Sequence, residues 1–200
     1  MSLPPVLEPG RTYEGAIWAG DDLQDVDAED STFVDCTLSG LTISRGLWAR
    51  TSWHGRGLTG VRILGGSFAR SRWRDVRFDG SALAGCELYG ARLQGVRLLG
   101  VMLDSVNLRG ATLEDVTLED CVLRDVDLGG AKLTRVRFAG CRIERLDVTK
   151  ATLTRVDLRG TQVGIARGVD RLGGAILDIA QVLDLAPAFA AHLGIDVRYP

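Results

Sequence analysis

The chain repeats one pattern every five residues over most of its 200-residue length. Every fifth residue from Trp18 to Val163 is apolar, and only Ala28 among them is small. A helix requires apolar residues three and four positions apart, and a half-buried strand requires strict alternation. A period of five satisfies neither requirement over such a length. It predicts a chain that turns a corner once per repeat and points its apolar residues inward.

A second series of small residues lies two positions before the first series. It consists mostly of Ala, Val, Ser and Cys, as in Ala91, Val96 and Val101. The three remaining positions of each repeat are mostly polar, charged or Gly. Each repeat therefore points two residues inward and leaves three for the corner and the solvent.

These repeats resemble the pentapeptide-repeat family, whose pattern is A(D/N)LXX. The resemblance covers about three quarters of the chain and is good in residues 106–110 (VNLRG), 126–130 (VDLGG) and 156–160 (VDLRG). It implies an all-β solenoid, a right-handed quadrilateral β-helix with four repeats per coil. Val in place of Ala at the small position is the main departure from the family pattern.

Four repeats per coil would stack residues that are twenty positions apart. The chain then contains a column of aromatic residues that gives way to leucines: Tyr13, Phe33, Trp53, Trp73, Leu93, Leu113, Leu133 and Leu153. A second column holds Gly at every level except Asp120, from Gly20 to Gly160, which is typical of a corner with positive φ. At the usual strand spacing, about seven and a half coils make a rod roughly 35 Å long.

The sequence divides into three segments. Residues 1–15 are predicted to be an N-terminal lead-in, residues 16–163 the β-helix, and residues 164–200 a helical cap that also dimerises. Residues 175–185 have helical apolar spacing, and a second short helix is predicted from Pro187 through Phe189 to His192. Gly194 is the predicted stop, and residues 195–199 are predicted to be a terminal strand.

The C-terminal segment is more apolar than a solvated appendage. Two interpretations are compatible: a cap over the last coil, and a homodimer interface, which the resemblance implies for several family members. The candidate interface residues are Ile176, Ile179, Val182, Leu183 and Phe189.

The cysteines Cys36, Cys86, Cys121 and Cys141 all fall in the small inward series. Cys121 and Cys141 are twenty residues apart and should stack, which leaves a disulfide open if the sulfurs are oriented for one. We favour buried, reduced residues, because Cys is a small hydrophobe and no CxxC pair suggests zinc. Arg56 breaks the series, so either the coil bulges there or its side chain turns outward.

Charge is arranged in bands along the chain. Residues 1–40 have a net charge of −8, residues 41–100 of +7, residues 101–130 of −5, residues 131–160 of +5 and residues 161–200 of −1. Opposite charges twenty residues apart, Asp25 with Arg45, Asp115 with Arg135 and Asp125 with Arg145, should neutralise each other across adjacent coils.

The resemblance implies one known role, because some pentapeptide-repeat proteins mimic duplex DNA, bind DNA gyrase and confer quinolone resistance. Mimicry needs an extended negative surface, and the alternating bands argue against it. The middle band instead stacks Arg72 with Arg92 and Arg77 with Arg97, a candidate charged interaction surface. An anion or partner acid would lie against these arginines, while the flanking acidic bands argue against a long nucleic acid.

The sequence predicts a non-enzymatic protein-interaction scaffold without metal or cofactor, with gyrase-directed DNA mimicry as the alternative. His54 and His192 are the only histidines, and no GxSxG, HExxH or phosphate-loop motif is present. No apolar run is long enough to cross a bilayer, and residues 1–5 lack the features of a signal peptide. The expected partners are a second copy and another protein, in the cytoplasm.

Overall fold

The structure is a computed structural model that describes residues 6–20 and 22–198. These residues form a parallel β-solenoid of about eight turns with one C-terminal helix. Paired residues along most of the solenoid are twenty positions apart, as in Tyr13 with Phe33 and Trp53 with Trp73. The predicted coil of four repeats is therefore confirmed.

The strands form three sheets. Sheet I contains Thr12–Glu14, Thr32–Val34, Ser52–His54, Arg72–Arg74, Arg92–Gln94, Thr112–Glu114, Lys132–Thr134 and Thr152–Thr154. Sheet II contains Ile17–Ala19, Thr37–Ser39, Gly57–Thr59, Arg77–Asp79, Arg97–Leu99, Thr117–Glu119, Arg137–Ala139, Val156–Asp157 and Ala175–Ile176. Sheet III contains Leu23–Gln24, Thr42–Leu47, Arg62–Ser67, Ala82–Glu87, Met102–Asp104, Val106–Asn107, Val122–Leu123, Val126–Asp127, Arg142–Asp147 and Gln162–Arg167.

Sheet III covers two sides of the coil, which gives the solenoid four sides in all. Six-residue strands such as Thr42–Leu47 continue through a corner residue, here Arg45 with φ 52°. The third side carries residues 42–44 and their equivalents, and the fourth side carries Leu47 and its equivalents. The Gly20 column also forms a corner, because its glycines and Asp120 all have φ between 51° and 82°.

The interior is filled by the two inward series. In the predicted aromatic column the rings stack directly, with centroids 4.0 Å apart for Phe33 and Trp53 and 4.9 Å apart for Trp53 and Trp73. Such pairs contribute about 0.5–1.5 kcal/mol beyond the area they bury. Leu93 and the leucines that follow it continue the column, and all are buried.

Arg56 turns outward without a bulge. It is exposed, with φ 36°, whereas Cys36 and Val76 in the same column are buried. Gly57 keeps the twenty-residue register with Thr37 and Arg77 on either side. The positive φ therefore re-aims one side chain while the ladder of backbone hydrogen bonds continues.

The four cysteines are free and buried, as the sequence predicts. Each thiol lies within hydrogen-bond reach of backbone carbonyls; for Cys36 these are the carbonyls of Tyr13 and Val34, both at 3.4 Å. Burial raises the pKa of the Cys86 thiol to about 12. These residues act as small core side chains.

The expectations for the C-terminal segment are partly wrong. Ala175 and Ile176 are a strand that pairs with Val156 and Asp157, and the helix begins only at Ile179. No second helix begins at Pro187, because one helix, Ile179–His192, runs through it.

The missing N–H of Pro187 leaves the carbonyl of Leu183 without its helical donor. Leu183 is exposed, so water can hydrate that carbonyl and the helix continues. The helix ends before Gly194, as predicted, with φ 72° at that glycine. Residues 195–198 form no strand; Tyr199 lies outside the described residues, as do residues 1–5 of the predicted lead-in.

The C-terminal helix, Ile179–His192, caps the last coil. Asp178 and Gln181 form a capping box at its N-terminus. The side-chain amide of Gln181 donates to the carbonyls of Leu158 and Thr161, and Leu185 is buried beneath the helix. A short 3-10 helix, Val169–Arg171, contacts the C-terminal helix. Within residues 6–20 and 22–198, no helix has the length and apolarity to cross a membrane.

Gly57 gives a test of the packing between coils. A methyl group added there would overlap the backbone carbonyl oxygen of Arg77. We expect Gly57→Ala to lower the free energy of unfolding by about 1–3 kcal/mol, the usual cost of overpacking, measured by urea denaturation. Gly173→Ala is the control, because its added methyl meets no atom within 4 Å. An equal, small effect of both substitutions would contradict this account.

Candidate interaction surfaces

Outward corner residues carry most of the ion pairs between coils. Arg45 donates two hydrogen bonds to Asp25, Nε to Oδ1 at 2.8 Å and Nη2 to Oδ2 at 2.9 Å. Arg50 holds Asp30 in the same way at 2.7 and 2.8 Å. Arg135 holds Asp115 at 2.6 and 2.8 Å. Such bidentate pairs are the strongest of the charge-assisted hydrogen bonds.

Matching backbone geometry explains which predicted pairs form. Asp25 and Arg45 have φ of 51° and 52°, so their side chains leave the corner in the same direction. Asp115 and Arg135 both have φ 54°. The predicted pair of Asp125 with Arg145 is absent from the described residues: neither has a positive φ, and no ion pair joins them. That expectation is wrong because neither residue has the positive φ that aims the side chains of Asp25 and Arg45 at each other.

Hydrogen bonds from these arginines change the titration of their partners. The Arg45 guanidinium holds the pKa of the Asp25 carboxyl below its ordinary value. Arg50 and Arg135 likewise lower the pKa of Asp30 and of Asp115. All three carboxylates are solvent-exposed, so each pair contributes little stability by itself.

A second group of arginines has no such partners. We define the arginine corner as Arg72, Arg74, Arg77, Arg92 and Arg97, which lie on sheets I and II at the fourth and fifth levels of the solenoid. All five side chains are exposed. The two predicted stacked pairs are in direct register, Arg72 beside Arg92 and Arg77 beside Arg97.

Only Arg77 in the arginine corner makes an ion pair within the described part of the chain. It binds Asp79, two residues ahead on the same strand, with Nε 2.7 Å from Oδ2. The other four have no carboxylate within 4.0 Å among the described residues. The same is true of Arg56, Arg62 and Arg70 nearby. The net charge of +7 in residues 41–100 is therefore largely unneutralised at this place.

Two open depressions meet at Arg77. One, of about 250 Å³, is lined by Asp75, Val76, Arg77, Gly95 and Arg97. The other, of about 190 Å³, is lined by Thr37, Arg56, Gly57, Thr59, Arg77 and Asp79. The first lies between the two stacked arginines of sheet II, where it is open to a side chain of another molecule.

The fourth side of the solenoid carries an acidic column that the sequence analysis did not identify. Glu87, Asn107, Asp127 and Asp147 are in register at successive levels. Asn107 donates to Glu87 at 2.6 Å, and Arg109 donates to Asp127 at 3.0 Å. Listing residues twenty apart would have revealed this column, but Asn107 interrupts its run of charge.

The outer face of the C-terminal helix is apolar. Ile179 is 76% exposed, Leu183 67% and Val182 41%, and Ile176, on the strand that precedes the helix, is also 41% exposed. Phe189 differs from these four predicted interface residues, because it is partly buried and packs against the core. The helix therefore has a capping face, which includes Leu185 and Phe189, and a separate apolar face toward solvent.

Within residues 6–20 and 22–198, no group of three or more His, Cys, Asp or Glu side chains is placed to hold a metal ion. His54 lies on sheet I at an outward position, and His192 ends the C-terminal helix.

The fold defines a β-solenoid built from five-residue units. Residues 71–148 and 91–167 match a family model described as a pentapeptide repeat region, which makes this chain a pentapeptide-repeat protein.

Two solved structures are reported for comparison. HetL, a pentapeptide repeat protein involved in heterocyst differentiation regulation in the cyanobacterium Nostoc sp. strain PCC 7120, is 17% identical, with 84% of this chain and 90% of that chain covered and a TM-score of 0.39. QnrB1, a plasmid-mediated fluoroquinolone resistance protein, is 14% identical in its full-length form, with 90% of this chain and 100% of that chain covered and a TM-score of 0.32. Among curated protein sequences, none matches the chain.

The bidentate corner pairs predict a dependence of stability on pH. Their carboxylates have a lowered pKa when folded, so their contribution is present above the ordinary value of 3.8 and is lost as the pH falls through the folded value. We expect the urea midpoint to fall below about pH 4. The triple variant Asp25→Asn, Asp30→Asn, Asp115→Asn should flatten this fall.

The matched control is Asp35→Asn, Asp75→Asn, Asp120→Asn. These three residues occupy the same kind of corner, with φ of 50–55°, but have no ion pair in the described structure. Their replacement should leave the pH dependence close to that of the wild type. Equal flattening in both triple variants would show that the paired arginines are not its cause.

Proposed function

We propose that this protein is a rigid, non-enzymatic scaffold that pairs with a second copy of itself and binds another protein through its outward side chains. The observation that carries the proposal is the apolar outer face of the C-terminal helix. A cap needs only one apolar face, and this helix already uses Leu185 and Phe189 for that purpose. Exposed Ile179 and Leu183 are left for a second surface.

A two-fold interface suits this face. It lies at one end of the rod, so pairing would join two rods end to end and leave their four sides free. The solenoid cannot easily flex, because the inward rings and leucines of each coil pack on those of the next. Rigid sides with variable outward residues suit a protein that presents a fixed pattern of charge.

The buried thiols support a non-catalytic role. The nucleophilic form of Cys is the thiolate, and burial disfavours it at Cys86. Free thiols also agree with a cytoplasmic address, where reduction is maintained.

Light scattering tests the pairing. We expect the wild-type protein at micromolar concentration to have twice the chain mass of 21.6 kDa. The double variant Ile179→Glu, Leu183→Glu should be a monomer, because paired carboxylates cannot be buried without partners. Ile17→Glu is the control, since Ile17 is also exposed and apolar but lies in the first coil. A wild-type mass of 21.6 kDa would overturn the dimer.

DNA mimicry directed at gyrase is a second candidate, and the acidic column of the fourth side is the observation that favours it. Its charge is sparse, however. The four levels from Glu87 to Asp147 span roughly 14 Å, over which a duplex carries about eight negative charges. The column supplies three, and Asp127 is already paired with Arg109.

A supercoiling assay with purified DNA gyrase separates the two candidates. We expect supercoiling and quinolone-stabilised cleavage to be unchanged by the protein. Inhibition that the triple variant Glu87→Gln, Asp127→Asn, Asp147→Asn abolishes would establish mimicry through the acidic column instead. Correct folding of the variant is checked by circular dichroism.

A further inference from the structure

We propose that the arginine corner binds an acidic segment of another protein, one that carries apolar side chains among its carboxylates. This inference rests on the proposed scaffold function and deepens it by naming the binding surface and the chemistry of the partner. The residues around the arginines, which are apolar on one side and acidic on another, favour a protein segment over a nucleic acid as the ligand.

Most of the positive charge of the arginine corner has no carboxylate partner in the described part of the chain. Like charges directly opposite each other on neighbouring strands destabilise a sheet, and the arginine corner contains two such pairs, Arg72 with Arg92 and Arg77 with Arg97. Elsewhere the chain places an acid twenty residues from an arginine, as with Asp25 and Arg45. Carboxylates from a partner would supply here what the chain supplies there.

The depression beside Arg77 and Arg97 is large enough to admit a carboxylate side chain. The depression of about 250 Å³ between Arg77 and Arg97 reaches down to Val76, between the two strands. A Glu or Asp side chain entering it could accept charge-assisted hydrogen bonds from Arg97 and from the nitrogens of Arg77 other than Nε, which binds Asp79. Asp75 also lines this depression, with its Oδ1 over Gly95. It would repel a ligand carboxylate placed beside it, which directs the ligand toward Arg97 on sheet II.

Exposed apolar and aromatic residues form a rim around the arginine corner. Tyr89 is 43% exposed at one edge of sheet I, and Leu99 is 36% exposed at the far edge of sheet II. Met102 is exposed just beyond Leu99. Protein interfaces are enriched in Tyr, Met and Arg and depleted in Lys, and residues 70–102 contain no Lys. The apolar rim fits a protein segment better than a sugar-phosphate backbone.

Acidic residues in the next coil limit what the arginine corner can bind. Gln94 is in register with Glu114, and Leu99 is in register with Glu119. Carboxylates therefore begin in the next coil, about 4.8 Å above the level of Arg92 and Arg97. Asp120 is exposed at the adjoining corner. A duplex carries phosphates along its whole length and on both strands and would meet these acids. An acidic segment that follows the arginines around the corner would avoid them.

Fluorescence anisotropy tests the proposal with three labelled probes. The first is a short peptide in which Glu alternates with Leu and Tyr, the second has Ser in place of Leu and Tyr, and the third is a short DNA duplex. We expect the first peptide to bind most tightly and its affinity to fall as salt is added.

Two triple variants with the same change of charge locate the binding. Arg72→Gln, Arg92→Gln, Arg97→Gln should weaken the first peptide by about tenfold or more. Arg137→Gln, Arg145→Gln, Arg155→Gln should not, although these three exposed arginines also lack a carboxylate within 4.0 Å in the described structure. Tyr89→Ala should weaken the first peptide and leave the Ser peptide unchanged.

Three outcomes would overturn the proposal: tighter binding of the duplex than of either peptide, equal loss in both triple variants, or no binding of the first peptide at low salt. Light scattering on the same samples separates this inference from the proposed dimer. A dimer that binds no peptide rejects the arginine corner alone, whereas a monomer that binds it rejects the dimer alone.

Discussion

Stacking of inward side chains between successive coils is the interaction on which the rest of this structure depends. A single coil is too small to bury its own apolar residues: Trp73 contacts Phe78 within its coil but stacks on Trp53 of the coil before it. Repeat architectures are stabilised by such nearest-neighbour contacts. The requirement fixes two residues in every five, and a third where coils approach closely, as at Gly57. Function is therefore confined to the remaining outward positions.

The same constraint explains what could be predicted from the sequence. The period of five and the columns at twenty are properties of spacing alone, and they locate the ring stack at Tyr13 and the corners at Gly20. Departures arise where the φ angle of one residue sets the direction of its side chain. Arg56 leaves its inward position through a positive φ, whereas Asp125 and Arg145 lack the positive φ of the paired corner residues. At the C-terminus the repeat no longer applies, and Ala175 becomes a strand because Val156 offers an open edge.

The candidate surfaces were predictable only in outline. Stacked arginines follow from spacing, but the pairing of Arg77 with Asp79 runs along one strand and depends on where a flexible side chain settles. Of the residues predicted for the dimer interface, Ile179 and Leu183 are exposed and Phe189 is partly buried, because the path of the chain over the last coil decides which face is covered. The rim residues Tyr89 and Leu99 attract notice only once the neighbouring arginines are placed.

The stacked arginines of the arginine corner repel each other, and the packing of the core does not require them. Like charges in register destabilise a sheet by roughly 0.2–1 kcal/mol per pair, which is small beside the roughly 1.5–3 kcal/mol from each buried Leu or Phe. The fold therefore tolerates the two arginine pairs but gains nothing from them. Outward positions accept an acid as readily as a base, as Asp25 beneath Arg45 demonstrates. Four of the five arginines in the corner lack an internal carboxylate among the described residues, at outward positions that could have carried acids, and this favours an external carboxylate partner.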